Sequence, residues 1–228
     1  MNLLAIETST ESCSAALLAD GRLLARSEIA PRRHAELLLS MCDELLAEAG
    51  LRRRDLDVLA VGRGPGAFTG VRLAISAAQG IALALDIPVI PVSSLAALAL
   101  QAPDNGADVL AVLDARMGEI YAGSFRHANG GIEATGDETV GLAASLQLPA
   151  VPAWNVIGSG WASYPEAIAA LLPAPPRWAE GDRYPQAADI ARIAAPIAAA
   201  GGGVAADEAL PVYLRDKVAL TIAEQQRR

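Results

Sequence analysis

The 228-residue sequence is 53% hydrophobic but only 4% aromatic, and carries a formal net charge of −8. That is enough apolar material for one large domain or two small ones. With 18 Lys and Arg against 26 Asp and Glu, the balance argues against this chain alone gripping a nucleic-acid backbone, which takes clustered cations.

Leu3 to Ile6 reads as a buried strand that opens almost at the amino terminus, leaving no room for a signal peptide. A polar turn follows, Glu7-Thr8-Ser9-Thr10-Glu11. Ser12 to Leu18 is a second strand, Asp20-Gly21 signals a hairpin, and Arg22 to Ile29 returns as a third. This layout resembles the opening of the actin-like and sugar-kinase ATPase superfamily. There the first turn places an acidic residue and hydroxyls toward a nucleotide phosphate and its metal. Here Glu7 stands where the superfamily usually has aspartate, and Thr8 where it usually has glycine. An ordinary polar turn is the alternative reading.

A helix is expected from His34 to Ala49, closed by Gly50 at a C-cap position. At 100° steps its residues Leu38, Leu39, Met41, Cys42, Leu45 and Leu46 cover an arc of roughly 160°, wider than the ~100° stripe that covers one face of a sheet. Arg52-Arg53-Arg54, beside Asp55 and Asp57, reads as a solvated loop. Val58 to Val61 is a further buried strand. It leads into Gly62-Arg63-Gly64-Pro65-Gly66-Ala67-Phe68-Thr69-Gly70-Val71-Arg72 and then a helix from Thr69 to Leu85. Glycine-rich strand-to-helix turns often hold anions, because free N–H groups and the positive end of the helix dipole converge there. No Gly-Lys-Ser/Thr ends this loop, and the one lysine, Lys217, is far away. Gly62, Gly64, Pro65, Gly66 and Gly70 are accordingly read as a structural loop.

The helix from Thr69 has a bulky face, Val71, Ala74, Ile75, Ala78, Ile81, Ala82 and Leu85. Opposite lie Leu73, Ser76, Ala77, Gly80 and Ala84, nearly all small. A helix apolar on two sides needs cover on both. Packing of the two helices within the chain could supply it, and so could a partner protein or a second copy. The segment looks too short and too small-residued to span a bilayer, and it contains Arg72 and Gln79.

Pro88 to Val92 is the next strand, and Ser93-Ser94 caps a helix to Leu100. Gln101 to Ala107 is the best linker, dividing the chain into 1–101 and 102–228. The second part opens like the first. Strand Val109 to Leu113 ends at Asp114-Ala115-Arg116-Met117-Gly118, Glu119 to His127 returns, and Asn129-Gly130-Gly131 turns again. A glycine turn, Gly158-Ser159-Gly160, follows another strand. Ala187 to Ala200 is helical despite Pro196, and Pro211-Val212-Tyr213-Leu214-Arg215 leads into a polar tail. The fold expected is α/β, a tandem of two related halves.

Several chemistries lack their parts. The two histidines, His34 and His127, are 93 positions apart, so no paired metal ligands can be built from them. No Gly-x-Ser-x-Gly elbow is present. Cys13 and Cys42 show no metal or redox spacing, read as buried free thiols, and suit a reducing cytosol. Arg116 and Met117 put bulk at the second turn, where phosphate binding favours glycine.

The runs Ala5 to Thr10, Gly62 to Arg72, Asp114 to Tyr121, Gly158 to Trp161 and Pro211 to Arg215 together resemble the bacterial TsaB family, also called YeaZ. The resemblance spans nearly the whole chain; the second and third runs are its most specific parts. It implies a two-domain actin-like fold that has lost catalysis, has no cofactor or metal of its own and works in the cytoplasm. Its partners would be a TsaD-like catalytic relative and a TsaE-like ATPase. Together these move a threonylcarbamoyl group from its adenylate onto the adenine beside the anticodon of tRNA. The family meets its relative through the first two helices, in a four-helix bundle. That assigns Leu38, Met41, Cys42, Leu45, Leu73, Ser76, Ala77, Gly80 and Ala84 to the partner interface, with a homodimer as a further use. Glu7, Thr8, Ser9, Asp114, Gly158 and Gly160 become vestigial nucleotide-binding positions, and tRNA is met mainly through the complex. The alternative function is an active actin-like ATPase or small-molecule kinase.

Overall fold

A computed structural model describes residues 1–215. Lys217 and the polar tail lie outside the described residues. Two sheets form. The first contains β1 (Leu3–Glu7), β2 (Ser12–Ala19), β3 (Arg22–Ile29), β4 (Val58–Gly62) and β5 (Val89–Val92), in the order β3-β2-β1-β4-β5. β2 runs antiparallel to both β1 and β3, while β4 and β5 run parallel to β1. At the β2–β3 hairpin Asp20 and Gly21 both take positive φ, 49° and 74°, which a two-residue hairpin with the sheet's own twist requires.

The second sheet contains β6 (Asp108–Arg116), β7 (Glu119–Ala128), β8 (Gly131–Ala134), β9 (Thr139–Leu142), β10 (Trp154–Ile157) and β11 (Trp178–Glu180). Its order is β8-β7-β6-β10-β11, with β9 pairing the other end of β7. The senses again read antiparallel, antiparallel, parallel, parallel. The weak internal similarity of the sequence is therefore a repeated topology.

Alternation along the strands decides what covers each face. Leu4 and Ile6 of β1, Leu17 of β2 and Leu59 and Val61 of β4 point toward α1 (His34–Glu48) and α2 (Phe68–Leu85). Leu3, Ala5, Ala16, Val58 and Ala60 point the other way, onto Ala187, Ile190, Ala191 and Ala194 of α6 (Ala187–Ala199). The second sheet is covered by α3 (Ser94–Ala99) on one face. On the other lie α4 (Ser159–Ser163) and α5 (Pro165–Ala169), with Trp154 fully enclosed.

A single cut at 101/102 separates the strands of the two sheets but not the helices. Leu95 and Leu98 of α3 pack on the second sheet, and α6 returns to the first. Ala209 follows α6 back into the first core, and Val204 bridges to Val89. The lobes are thus interleaved, an arrangement that linear composition does not display.

The short-helix expectation for α2 needs correcting. With 18 residues and a mean hydropathy of 1.5, it is long and apolar enough to cross a membrane by length and composition alone. Here Val71, Ala74, Ile75, Ala78 and Ala82 are sunk in the first core, with Leu73, Ala77, Ile81 and Leu85 packed partly against it, so part of that apolarity has a structural cause. Ser76, Gly80, Leu83 and Ala84 face outward.

Candidate functional site

Glu7 closes β1 and is fully buried. Its Oε1 accepts the Ser9 N–H at 2.6 Å, and its Oε2 accepts the Ser94 hydroxyl at 2.7 Å. Burial pushes the carboxyl up from its ordinary value, while hydrogen bonds from Ser94, Ser9 and Thr8 pull the other way. Thr8, also fully buried, donates its hydroxyl to the Gly70 carbonyl at 2.7 Å. Glu7 and Thr8, expected to face a phosphate and its metal, are thus engaged inside the fold, whereas the Ser9 hydroxyl is buried without a hydrogen-bond partner.

The glycine loop explains how. A Cβ at Gly62 would lie 1.9 Å from Glu7 Oε2; at Gly66, 2.4 Å from the Ser9 carbonyl oxygen; at Gly70, 2.0 Å from that of Thr8. The Ala67 N–H donates to the Ser9 carbonyl at 2.7 Å. The loop is glycine-rich because the first turn of its own chain presses against it, and no side chain fits between. Gly64 takes φ 86° and precedes a cis peptide bond to Pro65, while Arg63 N–H and Gly64 C=O bond to Val92 and Ser94. The structural assignment of Gly62, Gly64, Pro65, Gly66 and Gly70 rests on these contacts.

The second turn is built differently. Arg116, Met117 and Gly118 all take positive φ, 65°, 59° and 82°. Asp114 accepts the Arg116 backbone N–H at 2.8 Å and lies 3.4 Å from its guanidinium, which also reaches Glu11 Oε1 at 2.8 Å. Asp114 is therefore tied to its neighbour, and the turns of the two lobes are joined by Arg116. Gly158 and Gly160 are packing positions. A Cβ at either would strike β6, 2.3 Å from the Val112 carbonyl oxygen and 2.9 Å from Val112 Cβ respectively.

The residues assigned to a partner interface split into two sets. Leu38, Met41, Cys42 and Leu45 are buried in this chain's own core, none more than 8% exposed. That half is corrected: the wide arc on α1 is real, but it is filled by β2 and by α2. On α2 the small-residue set is open. Ser76, Gly80 and Ala84 are exposed, Leu73 and Ala77 half-buried, and nothing lies within 4 Å of a Cβ placed at Gly80. Leu83, 78% exposed, sits on the same face as these small residues. Leu39 is the exposed leucine of α1.

A cluster at the start of α2 also escaped the sequence. Arg72 stacks 3.7 Å from the Phe68 ring centre and donates from Nε to the Tyr213 hydroxyl at 2.6 Å. Phe68 and Tyr213 rings lie 5.6 Å apart. Both motifs were visible, but nothing in their spacing brings position 213 to position 72.

Among the described residues no group of three or more His, Cys, Asp or Glu could hold a metal. His34 and His127 each bond a backbone carbonyl, of Thr10 and Ala102, at 2.9 Å. Cys13 and Cys42 are buried free thiols, and burial pushes them up to about 11 and about 12. Clefts of about 390 and 500 Å³ lie beside the C-terminal end of α2 and between the end of α3 and α6, and neither is lined by a residue of the Glu7–Glu11 or Asp114–Gly118 turn.

Comparison with known proteins adds the family. Residues 26–219 match the model described as TsaD, tRNA N6-adenosine threonylcarbamoyltransferase. The chain is 39% identical to the tRNA threonylcarbamoyladenosine biosynthesis protein TsaB of Escherichia coli K12, over 96% of both chains. With the protein of that name from Haemophilus influenzae it shares 49% identity over 53% of this chain and 52% of the other. Among solved structures, YeaZ from Pseudomonas aeruginosa superposes with a TM-score of 0.87 at 44% identity, over 93% of this chain and 99% of that one. The expected actin-like tandem of two α/β halves is borne out by the repeated topology together with these matches.

Proposed function

The chain belongs to the TsaB family, and on that premise we propose that it serves tRNA threonylcarbamoyladenosine biosynthesis as a non-catalytic, cytoplasmic subunit that docks a TsaD-like catalytic relative. With a TsaE-like ATPase, that relative moves the threonylcarbamoyl group from its adenylate to the adenine beside the anticodon. The chain brings no cofactor or metal to the reaction. At a net charge of −8, it meets tRNA mainly through the assembled complex.

One observation carries the reading: α2 has the hydropathy of a doubly buried helix but only one buried face. Its open side, with Leu83 as the protruding knob and Ser76, Gly80 and Ala84 as a groove, suits close helix-to-helix packing at about 8 Å between axes. The chain matches the model of the catalytic relatives themselves, so such a relative has a corresponding pair of helices to offer. The bundle is then built from α2 and the outer side of α1, through Leu39, not from the buried α1 set. A second copy of this chain is the competing occupant.

The ATPase or kinase alternative fits less well. Glu7 and Thr8 spend their polar atoms on Ser9, Ser94 and Gly70, and the glycine loop is filled by the first turn.

Reconstitution tests both. The purified chain alone should give no modified tRNA, and adding the catalytic relative, the ATPase and threonylcarbamoyl-adenylate should give it. Gly80→Arg should abolish co-purification with the relative. Retained binding by that variant would remove α2 from the interface, and tight magnesium-ATP binding by the lone chain in calorimetry would favour the alternative.

A further inference from the structure

After α6 the chain is anchored in the first lobe at Ala209, which is fully buried and whose carbonyl accepts the Gln79 side-chain amide at 3.1 Å. The next residues run on without regular secondary structure. The Val212 N–H donates to the Arg63 carbonyl at 2.9 Å, on the glycine loop. The Tyr213 hydroxyl accepts from Arg72 Nε at 2.6 Å, at the start of α2. Arg215 then crosses to the second lobe, donating to the Ala115 carbonyl at 3.0 Å and pairing with Glu119. Ala115 and Glu119 bracket the turn that carries Arg116 and Met117.

Five residues in a row thus fasten the glycine loop to the second acidic turn. They do so beside two other inter-lobe pairs, Arg116 with Glu11 at 2.8 Å and Arg63 with Glu138 at 3.7 Å. The lobes are already joined covalently at 101–107, so the strap is not needed to keep them together. What it adds is a fixed relative setting. Its bonds are few, partly exposed and outside any helix or sheet, which are the properties of a segment that opens locally without global unfolding.

We propose that residues 211–215 are a latch that sets the two lobes relative to each other, holding the glycine loop at one end and the Asp114–Gly118 turn at the other. Loosening either end loosens both turns together, since the two ends are only a few residues apart along one short segment outside any helix or sheet.

Hydrogen exchange on the full-length chain, followed by mass spectrometry, tests the latch. Tyr213→Phe removes only the hydroxyl that binds Arg72, at the first-lobe end; Arg215→Gln removes the charge that binds Glu119, at the second-lobe end. Each variant should speed exchange about fivefold or more in both 63–67 and 114–118, while β1 and β6 stay protected and report an intact fold. Acceleration confined to the turn nearest the substituted residue, or to neither turn, overturns the proposal. If Arg215→Gln also loosens β6, the Tyr213→Phe result decides alone, because the distant 114–118 turn is then its test.

Discussion

The carboxylate of Glu7 lies directly against Gly62: a Cβ at position 62 would fall 1.9 Å from Oε2. Glu7 cannot swing away, because Ser9 and Ser94 hold its two oxygens from opposite sides inside a fully buried site. Gly62→Ala therefore forces either the strand end or the carboxyl to move. A cost of about 1–3 kcal/mol in urea unfolding is expected, the usual range for overpacking. Glu7→Ala removes the obstacle, so the double variant should lose less than the two single losses added, with a coupling of about 0.5–3 kcal/mol. Strict additivity would mean that the two residues do not press on each other.

The same carboxyl predicts a pH dependence. Burial raises its folded-state pKa above the ordinary 4.5, so between those two values the unfolded chain has released a proton that the folded chain still holds. The stabilisation is complete below the ordinary carboxylate value and is lost as pH rises through the folded one. Glu7→Gln keeps the volume and does not titrate. Stability of the parent should fall relative to Glu7→Gln as pH increases above the ordinary glutamate range, with a slope of at most about 1.4 kcal/mol per pH unit. Urea midpoints for both proteins at stepped pH read this directly. Parallel curves would mean that Glu7 ionises normally in the fold.

Both results bear on how much the sequence disclosed. Strand positions, the Asp20-Gly21 turn and the repeated halves were legible because each is a local signal: alternation, turn chemistry, composition. The glycine loop was legible as a constraint but not as its cause. Positive-φ turns, anion cradles and close backbone approach all select glycine, and only the position of Glu7, Thr8 and Ser9 beneath it distinguishes them. The α1 arc misled for a related reason. Hydrophobic periodicity tells which residues are buried, not against what, and β2 with α2 fills an arc that a partner could equally have filled. Leu83, Phe68 and Tyr213 carry no such signal, because an exposed apolar residue has no signature until its surroundings are known.

The correction on α1 gives the interface reading its sharpest test, through two leucines of similar chemistry. Leu38 is 1% exposed and belongs to the first core, whereas Leu83 is 78% exposed on α2. Leu38→Ala should cost the isolated chain about 2–5 kcal/mol, the range for truncating a buried leucine. Leu83→Ser should change its stability by no more than about 0.5 kcal/mol, as for a surface substitution. Partner binding should then reverse the order of severity. At concentrations and temperatures where both variants are folded, Leu83→Ser should weaken association with the catalytic relative by tenfold or more, about 1.4 kcal/mol, because an exposed leucine contributes only where something covers it. Leu38→Ala should bind within about threefold of the parent once corrected for its folded fraction. If Leu83→Ser associates normally while Leu38→Ala does not, the interface lies elsewhere and the open face of α2 is not its seat.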